Sequence, residues 1–297
     1  MTETVAFVGA VGGAGTTTAV VETAAALARD GSRVRVLDTA YATQGLARHV
    51  AGRIDSDATA VCVSDTSLAD ASYELDLAVS GEVVVTPADA PFERLVRAKT
   101  VEAAQAFESV CATAQTDADW VLLDVPPVAA NQHVAAVETA DRIVVVTPGD
   151  SRGADALRQT RDRLADLDCT VDVVLSTRGE ILPAEATLPQ EPRTAGEVPV
   201  ALGDDQAAAT VVSAAETVLG TEFAVEIDTD GVLDQLRSRF TSSDDSRGET
   251  DGDEDPFDGT LGDTGEERAS GDSDGERASG DSDGERASSD SERDDSE

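Results

Sequence analysis

Six short valine-rich runs, spaced by segments of helical length, constrain this chain more than any other feature. They are Val5–Val8, Arg33–Leu37, Glu82–Thr86, Trp120–Leu123, Arg142–Thr147 and Thr170–Leu175. Their apolar residues run almost continuously, as in strands buried on both faces. Helical patterns lie between them. Thr17–Arg29 is alanine-rich and stops at Asp30-Gly31, a helix C-cap signal. Arg94–Thr113 carries apolar residues at helical spacing, and Gly153–Leu167 is charged on one face. Asp205–Leu219 is rich in Ala and Val, with an apolar stripe suited to packing on a sheet. The alternation predicts an α/β fold: a doubly wound, mostly parallel sheet with flanking crossover helices, over residues 1–222.

The first run leads straight into glycines. Residues 5–19 read VAFVGAVGGAGTTTA: a strand, a glycine-rich loop and the start of a helix. Such a junction aims backbone N–H groups and the positive end of a helix dipole at one point, which makes an anion site. Glycine lets the backbone adopt positive φ and approach a ligand closely. Two patterns fit these glycines. Gly9, Gly12 and Gly15 spell G-x-x-G-x-x-G, and with Asp38 closing the second run they resemble a Rossmann site for NAD(P). Against this, the only lysine, Lys99, has Leu95 four residues before it, so the Tyr-x-x-x-Lys pair of short-chain reductases is missing.

The other pattern reaches further along the chain. From Gly12 the sequence GGAGTTTAVVETAAALARDGSRVRVLDTA resembles the start of a ParA/MinD-family ATPase. These are deviant Walker-A P-loop proteins that position chromosomes, plasmids, division sites or other cargo. Their loop reads K-G-G-x-G-K-[ST]-[ST], against Val11-Gly12-Gly13-Ala14-Gly15-Thr16-Thr17-Thr18 here. The resemblance covers residues 3–220 and implies a P-loop NTPase fold. It implies nucleotide binding by Gly12, Gly13, Ala14, Gly15, Thr16, Thr17 and Thr18. It also implies Mg²⁺ ligation by Thr17 and Asp124, with Asp38 near the metal and the attacking water as the candidate catalytic residue. Asp124 lies in WVLLDVPP, which matches the family's Walker-B strand and its D-x-P-P turn. Ser176 replaces an asparagine that often reads adenine, and Glu197-Val198-Pro199 resembles a short segment near the base.

Both family lysines are substituted. Val11 stands at the signature lysine and Thr16 at the Walker lysine, Ala40 replaces a second acid, and no basic residue precedes Arg29. The Walker lysine neutralises phosphate charge in the ground and transition states. Its loss predicts weak binding of ATP and Mg²⁺ and little or no hydrolysis. The expected function is regulatory or positioning, as a pseudo-ATPase with a protein partner or a homodimer through the P-loop face. An ATP hydrolase served by an unconventional arginine is the alternative. No redox cofactor is expected except on the Rossmann reading.

Charge bears on partners and setting. The net charge is −38; residues 241–297 hold 22 acids and 5 arginines, which leaves −21 on residues 1–240. Twenty-one of the 22 bases are arginine. An acidic, lysine-poor surface suits a cytoplasmic protein of halophilic type, working in molar salt where self-repulsion is screened. It argues against strong nucleic-acid binding, which is driven by cations. Residues 223–240 are expected to form a short helix or linker; docking on the domain and lying on a membrane surface are its two readings. Only Arg237 and Arg239 flank its apolar stripe and an acidic tail follows, so membrane binding is not expected. From Thr241 the nine-residue repeat ERASGDSDG recurs at Glu267–Gly275 and Glu276–Gly284, which predicts a disordered acidic tail. Cys62, Cys111 and Cys169 lie too far apart for a disulfide framework or metal motif and are expected to be buried; His49 and His133 are isolated.

Overall fold

The computed structural model describes residues 2–189, 196–224 and 227. The segment 228–240 and the acidic repeats lie outside these residues. Among the described residues eight strands form one sheet: β1 (Glu3–Gly9), β2 (Arg33–Asp38), β3 (Tyr73–Glu74), β4 (Glu82–Thr86), β5 (Trp120–Val125), β6 (Arg142–Pro148), β7 (Val173–Thr177) and β8 (Ala186–Leu188). Their order is β3-β4-β2-β5-β1-β6-β7-β8, and only β3 pairs antiparallel. The sheet is flanked by α1 (Thr16–Arg29), α2 (Ala58–Val63), α3 (Phe92–Arg97), α4 (Val101–Ala114), α5 (Asn131–Thr139), α6 (Ser151–Ala165) and α7 (Gln206–Leu219). Among the described residues no helix is long and apolar enough to cross a membrane.

The alternation of side chains along a strand explains the continuous apolar runs. Val5 and Phe7 of β1 join Val34, Leu122 and Val144 in a core with α1 and α7. Ala6 and Val8 join Leu37, Val121, Leu123 and Val145 in a second core, under α4, α5 and α6. Successive residues face opposite sides, and both sides are covered. α1 is the most enclosed helix, buried from Ala19 to Ala28. Its Glu22 carboxylate accepts from the amides of Val200 (2.9 Å) and Ala201 (2.8 Å), which fixes the turn ahead of α7.

Several boundaries differ from the sequence reading for local reasons. The expected helix Arg94–Thr113 is two helices, α3 and α4. Thr100 interrupts it by turning extended and accepting from the Ala103 amide, an N-cap that starts α4 afresh. The last long strand begins at Val173 rather than Thr170, because Asp172 turns its carboxylate to the Ile143 amide (2.8 Å). α6 starts at Ser151, ahead of the expected Gly153, because Asp150 caps it; Asp205 is the N-cap of α7 rather than its first helical residue. Cys62 and Cys111 are buried, with thiols pushed up to about 11 and about 12 by burial; Cys169 is only part-buried.

The C-terminal ends of β6 and β7 meet closely. The Gly149 amide donates to the Thr177 carbonyl (2.8 Å), and a Cβ on Gly149 would lie 2.3 Å from the Gly179 backbone. Gly149→Ala must therefore push the loop after β7 outward. Overpacking of this kind costs about 1–3 kcal/mol. The expected result is a lower urea midpoint with an unchanged denaturant slope.

Candidate functional site

The loop between β1 and α1 is a cradle set by its glycines. Gly13 (φ 76°) and Gly15 (φ 88°) take left-handed backbone that a side chain would strain. Gly15 is the N-cap of α1, and no side chain accepts from the first helical turn. The amides there have no intrahelical partner, so the positive end of α1 stays open. Cβ atoms on Gly12 or Gly13 would meet nothing within 4 Å, so this edge faces free space. The back of the loop is fastened. Ala10 N–H donates to the Val146 carbonyl (2.8 Å), and Thr177 Oγ1 donates to the Ala14 carbonyl (2.6 Å).

Strand order brings the acids to this point. β5 lies between β1 and β2, and Asp38 and Asp124 are register partners on adjacent strands. This order also disposes of the Rossmann reading, in which the first two strands are neighbours. Thr17 donates from Oγ1 to Asp124 Oδ2 (2.6 Å). Asp38 accepts from the amides of Ala40 (2.7 Å) and Ala88 (3.2 Å). Both acids are buried, and neither has a basic side chain in an ion pair with it among the described residues. Burial lifts the Asp124 carboxyl to about 6, against the Thr17 hydrogen bond that lowers it. Burial first, and then the Asp124 charge, hold Asp38 well above the ordinary carboxylate range.

Residues Val11 to Thr18 line a cavity of about 340 Å³ together with Asp124. Asp38 does not line it: it lies one layer behind, engaged by its two amides, and Ala40 forms that wall. Val11 and Thr16 line the cavity but bring no charge. Thr16 Oγ1 points back at β1, 2.6 Å from where a Gly9 Cβ would sit. Ser176 is buried and gives its hydroxyl to the Gly179 carbonyl (2.5 Å), so it does not face the cavity. A larger hollow of about 890 Å³ lies between α7 and β8, away from the glycine loop and both acids.

Five cavity residues are absent from the sequence reading of the site: Thr43, Gly45, Arg48, His49 and Arg178. Arg48 and His49 close the 3-10 turn Leu46–His49 that follows β2, and Arg178 follows β7 with φ 57°. Arg178 directly follows β7, and loops at the carboxyl ends of a parallel sheet line its ligand crevice, whereas Arg48 and His49 lie further along the loop after β2. Burial lowers the His49 pKa, so the imidazole is neutral at pH 7 and the arginines carry the positive charge.

The oxygen donors suit a hard divalent cation. Mg²⁺ is commonly held by one or two carboxylates or hydroxyls, with waters and phosphate oxygens completing the shell. Thr17 Oγ1 and Asp124 Oδ2 offer such a partial set beside an uncompensated buried acid pair. Among the described residues no group of three or more His, Cys, Asp or Glu side chains could hold a metal without added ligands.

A family model, AAA_31, described as an AAA domain, matches residues 2–168. No curated protein sequence matches the chain significantly. Similar solved structures include the septum site-determining protein MinD with Mg-ADP from Pyrococcus horikoshii OT3. It is 19% identical with TM-score 0.63, over 73% of this chain and 96% of that one. The MinC:MinD cell division complex of Aquifex aeolicus is 20% identical with TM-score 0.61, over 75% and 98%. Apo McdA from Cyanthece is 16% identical with TM-score 0.60, over 74% and 100%. At such identities these likenesses speak for the fold, and the family match supplies the membership. The chain belongs to the AAA-domain family that AAA_31 defines, and its fold is that of the MinD and McdA structures.

Proposed function

We propose that the chain is a nucleotide-binding regulatory or positioning protein of the ParA/MinD type, in which ATP hydrolysis is slow or absent. One observation carries this reading. The backbone cradle and the Thr17–Asp124 pair are in place, while the two positions that hold lysine in the family are Val11 and Thr16. The amides from Gly12 to Thr18 would hold the phosphates. Thr17 and Asp124 would hold Mg²⁺, with Asp38 behind them near the metal. Bound there, Mg²⁺ would supply charge neutralisation for the β- and γ-phosphate oxygens. With neither lysine, the developing charge of phosphoryl transfer lacks its usual stabiliser. The Mg-ADP of the Pyrococcus MinD supports the ligand class, and the MinC:MinD complex supports a protein partner. A homodimer through the P-loop face belongs to the same reading, with residues 1–222 as the nucleotide-binding unit and 241–297 as a solubilising tail.

Calorimetry with the full chain in molar KCl tests it. Mg·ADP and Mg·ATP are expected to bind, while phosphate release stays at the level of a no-protein control. A second reading, an ATPase served by an arginine, is favoured by Arg48 and Arg178 in the cavity wall. Brisk Mg²⁺-dependent turnover that Asp124→Ala abolishes would establish that reading instead.

A further inference from the structure

An anion cannot settle easily in this cavity on its backbone alone. Its floor is Asp124, with Asp38 behind, and its loop carries no side-chain cation. A nucleoside di- or triphosphate brings two or more negative charges to that floor. Mg²⁺ offsets part of them; the rest needs positive charge from the walls.

Two arginines stand there unused. Seven arginines of the described residues are in ion pairs with aspartate or glutamate, in keeping with the acid excess. Arg97 and Arg163 donate to backbone carbonyls. Arg48 and Arg178 do neither, although the chain carries −38. Arg152 and Arg161 are as free, but they lie on the exposed side of α6, outside the cavity. The two cavity arginines also have fixed stems. Thr177 is bonded to the Ala14 carbonyl and to the Gly149 amide, which holds the backbone of Arg178 against the loop. On the other wall, the turn bearing Arg48 starts at Gly45, where a Cβ would lie 2.9 Å from Thr17 Oγ1. Both residues are exposed, Arg178 beside a backbone hydrogen-bonded to the cradle and Arg48 on a turn whose first glycine packs closely on Thr17.

We propose that Arg48 and Arg178 supply the cationic half of the site, binding the phosphate oxygens of a nucleoside di- or triphosphate from opposite walls. This rests on the nucleotide-binding reading above. A guanidinium suits the task in salt: it is weakly hydrated, always charged, and can hold two phosphate oxygens at once. Neither residue occupies a lysine position of the loop motif. They reach the site through the strand order, after β2 and after β7.

The test is calorimetry on the full-length protein with Mg·ADP, and with adenosine as a ligand that has no phosphate. The chains are the wild type, Arg48→Gln, Arg178→Gln and the double variant. Each single change is expected to weaken Mg·ADP about tenfold or more, the usual scale for one charge-assisted contact. The double variant should weaken it further, adenosine affinity should stay within twofold, and the melting temperature without ligand should not move. Variants that bind Mg·ADP as the wild type does would overturn the role of the arginines alone. Equal losses for adenosine and Mg·ADP would make these side chains base contacts and overturn the phosphate assignment. A wild type that takes no Mg·ADP would overturn the nucleotide reading, and this inference with it.

Discussion

Asp124→Asn is expected to raise the melting temperature at pH 8 and to leave it unchanged near pH 4. Asp124 is fully buried, beside Asp38, with no basic partner among the described residues. Its carboxyl titrates at about 6, against 3.8 for the ordinary group, because burial penalises the charged form. The native state therefore holds a proton that the unfolded chain has released between those values. Stability from this group is complete below about pH 3.8 and is lost as pH rises through about 6. A difference of that size corresponds to roughly 3 kcal/mol at pH 8. Asparagine carries no charge to desolvate, and its Oδ1 can still accept from Thr17. The gain for a domain of this size is roughly 6–12 °C. Salt does little to a buried pair, so the effect should survive in molar KCl. A variant that melts below the wild type at pH 8 would show that the acid pair is no burden. With Mg·ADP present the ranking should narrow or reverse, since the wild type alone keeps the Asp124 carboxylate for the cation.

Thr16→Lys should have the larger effect on ligand affinity. Thr16 is the first residue of α1 and lines the cavity beside Asp124. A lysine stem is long enough to leave the Gly9 side of the loop and bring its ammonium over the cradle. One charge-assisted contact in a partly enclosed site is worth about 1.5–3 kcal/mol, or roughly 10–100-fold in affinity for Mg·ATP. Turnover should appear as well, and adding Val11→Lys should raise it again. Affinity and turnover that match the wild type would mean that the missing lysine is not what limits the site. The gain should be larger still in the Arg48→Gln, Arg178→Gln background, where the new lysine meets no competing cation.

The parts of the fold that the sequence made legible are those whose residues carry their own local reasons. Val5 to Val8 run into Gly9, and Thr16 follows Gly15. A strand, a left-handed turn and a helix start all follow from neighbours in sequence. Asp38 and Asp124 were legible as strand ends, although not as register partners, because that depends on β5 entering between β1 and β2. The break at Thr100 was hidden, since the apolar spacing continues through it and only the side-chain cap stops the helix. β3 and β8 are too short to show a period. Arg48 and Arg178 illustrate the same limit at the site. Nothing near either one marks a ligand, and only the order of the strands makes them face one cavity.

The latch between Thr177 and Ala14 has a kinetic consequence. A loop fastened to β7 and β6 before any ligand arrives does not have to fold around its guest. Association is then governed by encounter, and encounter here is between an anionic nucleotide and a domain carrying −21 over residues 1–240. Like charges slow such encounters at low ionic strength, and salt relieves them. Association should therefore quicken as salt is added, the opposite of what a basic nucleotide-binding protein would do.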